Sequence, residues 1–162
     1  MTTDAVPEWL RAALDDVVEL AVETVRKGRL PFAAAILSDG RPIATGVNTA
    51  GDGPDPTAHA EVEAVRAGCR ATGRPYLGAT VLVSSCEPCA LCQVVAAMTG
   101  VDEIVYAAPK EFVPDLGGPE SPEVGARMTQ LQTMVAGLPA VRLRHVETAR
   151  AREPFDLFVV AR

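Results

Sequence analysis

Apolar residues recur along the chain at two spacings, and each spacing predicts a type of element. From Pro7 to Lys27 they recur every three or four residues, and the pattern stops before Gly28, which predicts a first helix. Ala33–Leu37 and Pro42–Val47 are short apolar runs that predict strands. The Asp39-Gly40 pair between them is typical of a tight turn, so the two strands are expected to form a hairpin.

The rest of the chain alternates between strand-like and helix-like segments. Thr57 or Asp55 stands where a cap of the second helix is expected, and Ser121 followed by Pro122 is a favourable helix start. The tail Pro154–Ala161 fits a short helix and an edge strand equally well. The other predicted helices are Ala58–Ala71, Cys89–Met98 and a segment ending at Gly137, and the other predicted strands are Ala79–Ser84, Glu103–Ala107 and Ala140–Val146.

This alternation predicts an α/β fold in which one sheet is covered by helices on both faces. A predicted helix connects the strand Glu103–Ala107 to the strand Ala140–Val146, so these two strands are expected to run parallel. The chain has 162 residues, 48% of them hydrophobic, which is enough apolar material for one core. We therefore predict a single domain over residues 1–162.

The charge balance changes the expectation about partners. The chain has 15 Lys and Arg residues against 21 Asp and Glu residues, which gives a formal net charge of −6. Such a chain has no general attraction for nucleic-acid backbones or anionic membrane surfaces, and its basic residues are scattered singly. The apolar pattern predicts neither a membrane helix nor a secretory leader. These features favour a small-molecule partner and predict no nucleic-acid partner and no membrane association.

The cysteines narrow the chemistry further. Cys86, Cys89 and Cys92 lie within seven positions, and Cys69 stands apart from them. A secreted disulfide framework would spread its cysteines, so the cluster predicts reduced thiols in a cytoplasmic protein. Reduced thiols at this spacing are available to bind a metal.

A second motif, His59-Ala60-Glu61, completes a candidate metal site. Cys89 and Cys92 at the start of one predicted helix can bring two sulfur atoms to one metal, and His59 at the start of another adds a third ligand. Three protein ligands leave one position open for water, whose pKa the metal lowers towards neutrality. Glu61 is placed to face that water and to transfer its proton.

Other interpretations of the same residues remain open. A Cys-x-x-Cys pair alone occurs in structural metal sites and in redox pairs. A structural site would need a fourth ligand, from Cys86, Cys69 or His145. The combination with His59 and Glu61 favours a catalytic metal, with Cys69 and Cys86 as packing thiols.

The two motifs resemble those of the cytidine-deaminase superfamily of zinc hydrolases. The segment Asp55-Pro56-Thr57-Ala58-His59-Ala60-Glu61, together with Ser84-Ser85-Cys86-Glu87-Pro88-Cys89, looks most like the bacterial guanine deaminase and cytosine deaminase branch. The resemblance spans Pro31 to Ala108. It implies a three-layer α/β/α sandwich with a five-stranded mixed sheet in which strands 4 and 5 are parallel. It also implies that the protein is a homodimer.

The resemblance implies roles for seven residues. The zinc ligands would be His59, Cys89 and Cys92, with one zinc ion per chain, and Glu61 would be the proton shuttle. The substrate-binding residues would be Phe32, Asn48 and Ala60, the last through its backbone N–H. Read without the resemblance, Phe32 is equally well a core aromatic, and Asn48 can be a turn residue.

The expected reaction is hydrolytic removal of a ring amino group, with release of ammonia. A guanine-type base is favoured, followed by cytosine, nucleosides and aminotriazines. The chain departs from the family pattern from Pro109 onward. In this region Asp115 or Glu111 could contact the substrate, although a solvated loop acid is the better interpretation of both. The alternatives are a tRNA or RNA adenosine deaminase, which the acidic charge disfavours, and a non-catalytic zinc-stabilised binding module, which Glu61 disfavours.

Overall fold

Five strands form one sheet in the order β2-β1-β3-β4-β5. The computed structural model describes residues 6–117, 121–136 and 141–161. The strands are β1 (Ala33–Ser38), β2 (Arg41–Val47), β3 (Thr80–Cys86), β4 (Glu103–Ala108) and β5 (Arg142–His145). The helices are α1 (Glu8–Arg26), α2 (Ala60–Thr72), α3 (Ala90–Met98), α4 (Pro122–Ala136) and α5 (Glu153–Val160), with a 3-10 turn at Lys110–Phe112.

The strand directions gather distant parts of the sequence at one edge of the sheet. β1 pairs antiparallel with β2 and with β3, whereas β3, β4 and β5 run parallel. The parallel pairing of β4 and β5 confirms the expectation from the helix between them. As a result, the amino end of β1 and the carboxyl ends of the other four strands lie at the same edge. Loops that are far apart in sequence therefore meet there.

Helices cover both faces of the sheet, which confirms the predicted sandwich. The side chains of β1 alternate: Ala33, Ala35 and Leu37 join the core beneath α1 and α5, and Ala34 and Ile36 join the core beneath α2. α3 packs beside α2, and α4 packs against α3. Within the described residues, no helix is long and apolar enough to cross a membrane.

The structure corrects one expectation and resolves another. The prediction that Thr57 or Asp55 caps α2 is wrong, because the N-cap is His59. Asp55 instead accepts hydrogen bonds from the backbone N–H and the hydroxyl of Thr57, which holds the turn before the helix. The ambiguous tail is a helix, α5. The predicted ends of α4 at Gly137 and of β5 at Ala140 lie outside the described residues.

α2 lies unusually close to β2, and a glycine makes this possible. A Cβ at Gly46 would overlap the carbonyl oxygen of Ala60 and the backbone nitrogen of Ala64. Ala60 is the first residue of α2 and follows His59 directly. The close approach of strand and helix therefore sets where the His59-Ala60-Glu61 motif begins.

Replacing Gly46 by alanine is expected to destabilise the fold by about 2–3 kcal/mol, because the new Cβ meets backbone atoms that cannot rotate away. For a chain of this length, the melting temperature should fall by roughly 5–10 °C. Thermal unfolding followed by circular dichroism measures the change. Gly53→Ala is the control, since a Cβ there meets nothing. Equal melting temperatures for the two variants would contradict the close packing of β2 on α2.

Candidate active site

Two helices begin at the sheet edge described above, and each begins at a predicted metal ligand. His59 is the N-cap of α2 and Cys89 is the N-cap of α3, both with extended backbone. Neither side chain forms a capping hydrogen bond at the start of its helix, although N-cap side chains commonly do so. Both side chains are thus free to point towards each other.

The predicted ligands converge as expected. His59 Nδ1 lies 3.5 Å from Cys89 Sγ and 3.6 Å from Cys92 Sγ, and the two sulfur atoms lie 3.5 Å apart. Tetrahedral zinc, with Zn–S distances of about 2.3 Å and Zn–N distances of about 2.0 Å, holds its ligand atoms roughly 3.5–3.8 Å apart. The three atoms therefore fit a zinc ion. Neither Cys86 nor Cys69 belongs to this group of described residues.

The pKa shifts of the Cys89 and Cys92 thiols also agree with a cation-binding site. Contact with Cys92 and with the His59 ring lowers the pKa of Cys89 to about 4. The same sulfur contact and burial raise the pKa of Cys92. The hydrogen bond to Cys89 raises the pKa of His59. Two sulfur atoms this close repel each other when both ionise, so a cation between them is what would stabilise the second thiolate.

Glu61 lies against the ligand cluster and is almost completely buried, at 7% exposure. Its Oε2 atom is 3.3 Å from Cys92 Sγ, and its Oε1 atom accepts a hydrogen bond from the Ser84 hydroxyl at 2.9 Å. Burial is the main reason that the pKa of Glu61 is raised, and the hydrogen bond from Ser84 acts in the opposite direction. A buried carboxyl beside predicted metal ligands is the arrangement expected of an acid–base group.

The three predicted substrate contacts lie at the same edge of the sheet. Asn48 follows β2 and is buried; its backbone N–H bonds the carbonyl of Phe32, and its Oδ1 atom accepts the N–H of Ala50. Phe32 precedes β1 and is half-buried, and its ring makes an edge-to-face contact with that of Phe155, with 5.9 Å between the two ring centroids. Ala60 is fully buried as the first residue of α2, where backbone N–H groups have no acceptor within the helix.

Sequence reasoning missed the residues that hold this site in place. Ser84 binds Glu61, as described above. Gln93 on α3 donates a hydrogen bond to the carbonyl of Pro88 at 3.0 Å, and Gln132 on α4 accepts the N–H of Ala90 at 2.6 Å. The sequence could have indicated Ser84 and Gln93, since both are polar residues in otherwise apolar segments. No sequence pattern could have indicated Gln132, because its partner, Ala90, is 42 positions away.

The two loop acids considered as substrate contacts are both exposed. Asp115 accepts a hydrogen bond from the backbone of Gly117 in its own loop. Glu111 lies in the 3-10 turn after β4. Their exposure agrees with solvated loop acids.

Fold and site together describe a deaminase-type α/β sandwich with a metal site between two helix starts. Residues 7–108, more than half of the chain, match the family described as the cytidine and deoxycytidylate deaminase zinc-binding region. The chain belongs to this family.

Relatives with different substrates are similar to this chain. Guanine deaminase from Bacillus subtilis (strain 168) is 46% identical over 80 residues, which is 49% of this chain and 51% of the relative. The tRNA-specific adenosine deaminase of Aquifex aeolicus (strain VF5) is 31% identical over 100 residues, which is 62% of this chain and 64% of the relative. The chain thus spans between half and two thirds of the length of these two proteins.

The likeness to a solved structure is more extensive. The X-ray structure of the Bacillus subtilis guanine deaminase superposes with a TM-score of 0.60 at 28% identity, covering 93% of each chain. The fold is thus common to this chain and to a guanine deaminase.

The four cysteines provide a matched test of the ligand set. Cys89→Ala and Cys92→Ala should each lose the metal, because each removes one of three converging donor atoms. Cys69→Ala and Cys86→Ala should each retain about one zinc ion per chain. Metal analysis after gel filtration measures the content. If Cys86→Ala lost its zinc while Cys69→Ala kept it, the three-ligand site would be contradicted, and Cys86 would be a fourth ligand.

Proposed function

We propose that this chain is a zinc-dependent hydrolytic deaminase acting on a small amino-heterocycle, with a guanine-type base as the favoured substrate. His59, Cys89 and Cys92 would hold the ion. Bound zinc would lower the pKa of a water molecule and stabilise negative charge that develops on the substrate carbon. The observation that carries the proposal is the buried Glu61 carboxyl beside this three-donor cluster.

Glu61 would move the protons of the reaction. It would take a proton from the attacking water and pass it to a ring nitrogen, and would then move the remaining proton of the added hydroxyl to the departing amino group. The C–N bond breaks, a carbonyl replaces the amine, and ammonia leaves with the proton. Ser84 would hold the carboxyl through its hydrogen bond to Oε1. Burial suits this role, because a carboxyl with a raised pKa can return a proton as well as accept one.

Three groups are proposed to orient the heterocycle. Asn48 uses its carbonyl oxygen within its own turn, so its NH₂ group is the part available as a donor to ring or carbonyl acceptors of the substrate. The Ala60 N–H would donate to a substrate oxygen near the reacting carbon. The half-buried ring of Phe32, braced by Phe155, would provide an apolar wall for the flat base.

Charge near the site favours a free base over a polynucleotide. Arg29 pairs with Asp52 at 2.7 Å in the pocket that Asn48 also lines. Arg66 on α2 pairs with Glu63 at 2.5 Å and lies 3.4 Å from Asp55. These cations are already paired with carboxylates, which weakens their attraction for a phosphate backbone. The acidic net charge acts in the same direction.

A tRNA adenosine deaminase is the second candidate, and the Aquifex aeolicus relative is the observation in its favour. A non-catalytic zinc-stabilised binding module is a third. It gives no reason for a buried carboxyl to lie among the donor atoms, where it costs free energy of desolvation.

We also propose that the protein is a cytoplasmic homodimer. Four apolar side chains of α4 are exposed in this single chain, namely Val124, Met128, Leu131 and Met134. Exposed apolar faces of this kind mark contact surfaces, and a second copy would cover this one. The four cysteines are free thiols, which is typical of a reducing compartment.

Replacing Glu61 by glutamine should give a folded, zinc-loaded protein with kcat reduced by about 10³-fold or more, because the amide cannot transfer protons. Ammonia release in a coupled assay measures the rate, and metal analysis verifies the zinc. Glu63→Gln, on the same helix, is the control and should retain its activity, because Glu63 is half-buried and pairs with Arg66. Near-normal deamination by the Glu61 variant would disprove the assigned role.

A panel of guanine, cytosine, adenine, their nucleosides and aminotriazines should identify the substrate through ammonia release. We expect guanine-type bases to give the highest kcat/KM, with little change between 50 and 200 mM salt, since no phosphate contacts are made. A tRNA anticodon stem-loop belongs in the same assay. Faster, strongly salt-dependent release from that RNA would favour the tRNA deaminase. Zinc-loaded protein that is silent on every substrate would favour the binding module.

A further inference from the structure

Two glutamine side chains from different helices hold the peptide groups on either side of Cys89. Gln93, itself only 5% exposed, donates its side-chain N–H to the carbonyl of Pro88 at 3.0 Å. Gln132 accepts the backbone N–H of Ala90 through Oε1 at 2.6 Å. The carbonyl precedes Cys89 and the N–H follows it. The backbone on both sides of Cys89, and with it the direction in which its side chain leaves the chain, is therefore held.

Gln132 provides an acceptor for the first backbone N–H of α3, a helix end at which the N-cap side chain forms no capping hydrogen bond. The first N–H groups of a helix have no acceptor within it, and an N-cap side chain usually supplies one. The N-cap of α3 is Cys89, and it makes no such bond. Its sulfur faces His59 and Cys92 instead. The acceptor for the first N–H of α3 comes from another helix.

α4 has few other attachments within this chain. Among its described side chains none is buried, and the helix packs against α3. Its sequence is a weak helix former, because it contains Gly125 and two threonines, Thr129 and Thr133, that bond back to carbonyls four positions earlier. A helix of this length and composition is marginal alone. The hydrogen bond that Gln132 accepts from Ala90 therefore affects the position of α4 as well as that of Cys89.

We infer that Gln132 is a positioning residue for the metal site, and that it couples metal binding to the docking of α4 on α3. The inference rests on the assignment of Cys89 as a zinc ligand under the proposed function. Gln132 holds the Cys89–Ala90 peptide in the orientation that presents the sulfur to the ion. By linkage, an ion bound at Cys89 stabilises the docked position of α4 by the same free energy with which α4 strengthens metal binding.

Three substitutions on α4 test the positioning role. Gln132→Met removes the acceptor and keeps the size of the side chain, and zinc affinity should fall about tenfold, at the lower end of the effect of residues that orient metal ligands. Gln132→Glu keeps an oxygen acceptor at the same reach and should restore the affinity. Gln130→Met is the matched control, because Gln130 is an exposed glutamine on the same helix. Competition with a chromophoric chelator measures the affinity of the purified full chain.

Hydrogen exchange of α4 tests the coupling. In the wild-type protein and in Gln132→Glu, zinc should slow exchange of the α4 amides. In Gln132→Met, zinc should leave their exchange unchanged. The absorption of the cobalt-substituted protein gives a third readout, since a misoriented Cys89 changes the thiolate bands.

The inference would be overturned by any of three results. They are an unchanged zinc affinity in Gln132→Met, a failure of Gln132→Glu to restore it, and wild-type α4 amides that do not respond to zinc. None of these readouts involves a substrate. A failure here is therefore distinct from a failure of the proposed deaminase activity, which the substrate panel detects.

Discussion

Helices α2 and α3 begin so close together that side chains at their first positions can bind the same metal ion, and the rest of the site depends on this arrangement. The nitrogen of His59 and the sulfur of Cys89, each at a helix N-cap, are 3.5 Å apart. The positive ends of both helix dipoles point to the same place, which favours thiolates there. The meeting itself requires the sheet order that puts β2 and β3 on either side of β1, and the glycine that lets α2 lie close to β2.

Glu61 shows how function and stability oppose each other at this site. A buried carboxyl is costly unless it is hydrogen-bonded, and the partner here is the hydroxyl of Ser84 on β3. The strand also carries Cys86, and burial raises the pKa of that thiol well above its usual range. We therefore expect Cys86 to stay a protonated packing thiol, whereas contact with Cys92 and with the His59 ring lowers the pKa of Cys89, three residues further on.

Local patterns predicted much of this structure. The spacing of apolar residues indicated the helices and strands, and the connecting helix indicated the parallel β4–β5 pair. The Cys89–Cys92 pair at one helix start, with His59 at the start of another, indicated a metal cluster. The cap of α2 was predicted wrongly because propensity favours Asp or Thr at an N-cap, whereas His59, a predicted metal ligand, occupies that position here. The Gln132 contact depends on helix packing that no local pattern encodes.

X-ray absorption at the zinc edge of the loaded protein tests the central claim most directly, because it counts the atoms around the ion. An open three-ligand site predicts two sulfur neighbours at about 2.3 Å and two lighter neighbours at about 2.0 Å. Three or four sulfur neighbours would mean that Cys86 or Cys69 joins the site. The centre would then be a closed structural one, and the account of catalysis given above would be wrong.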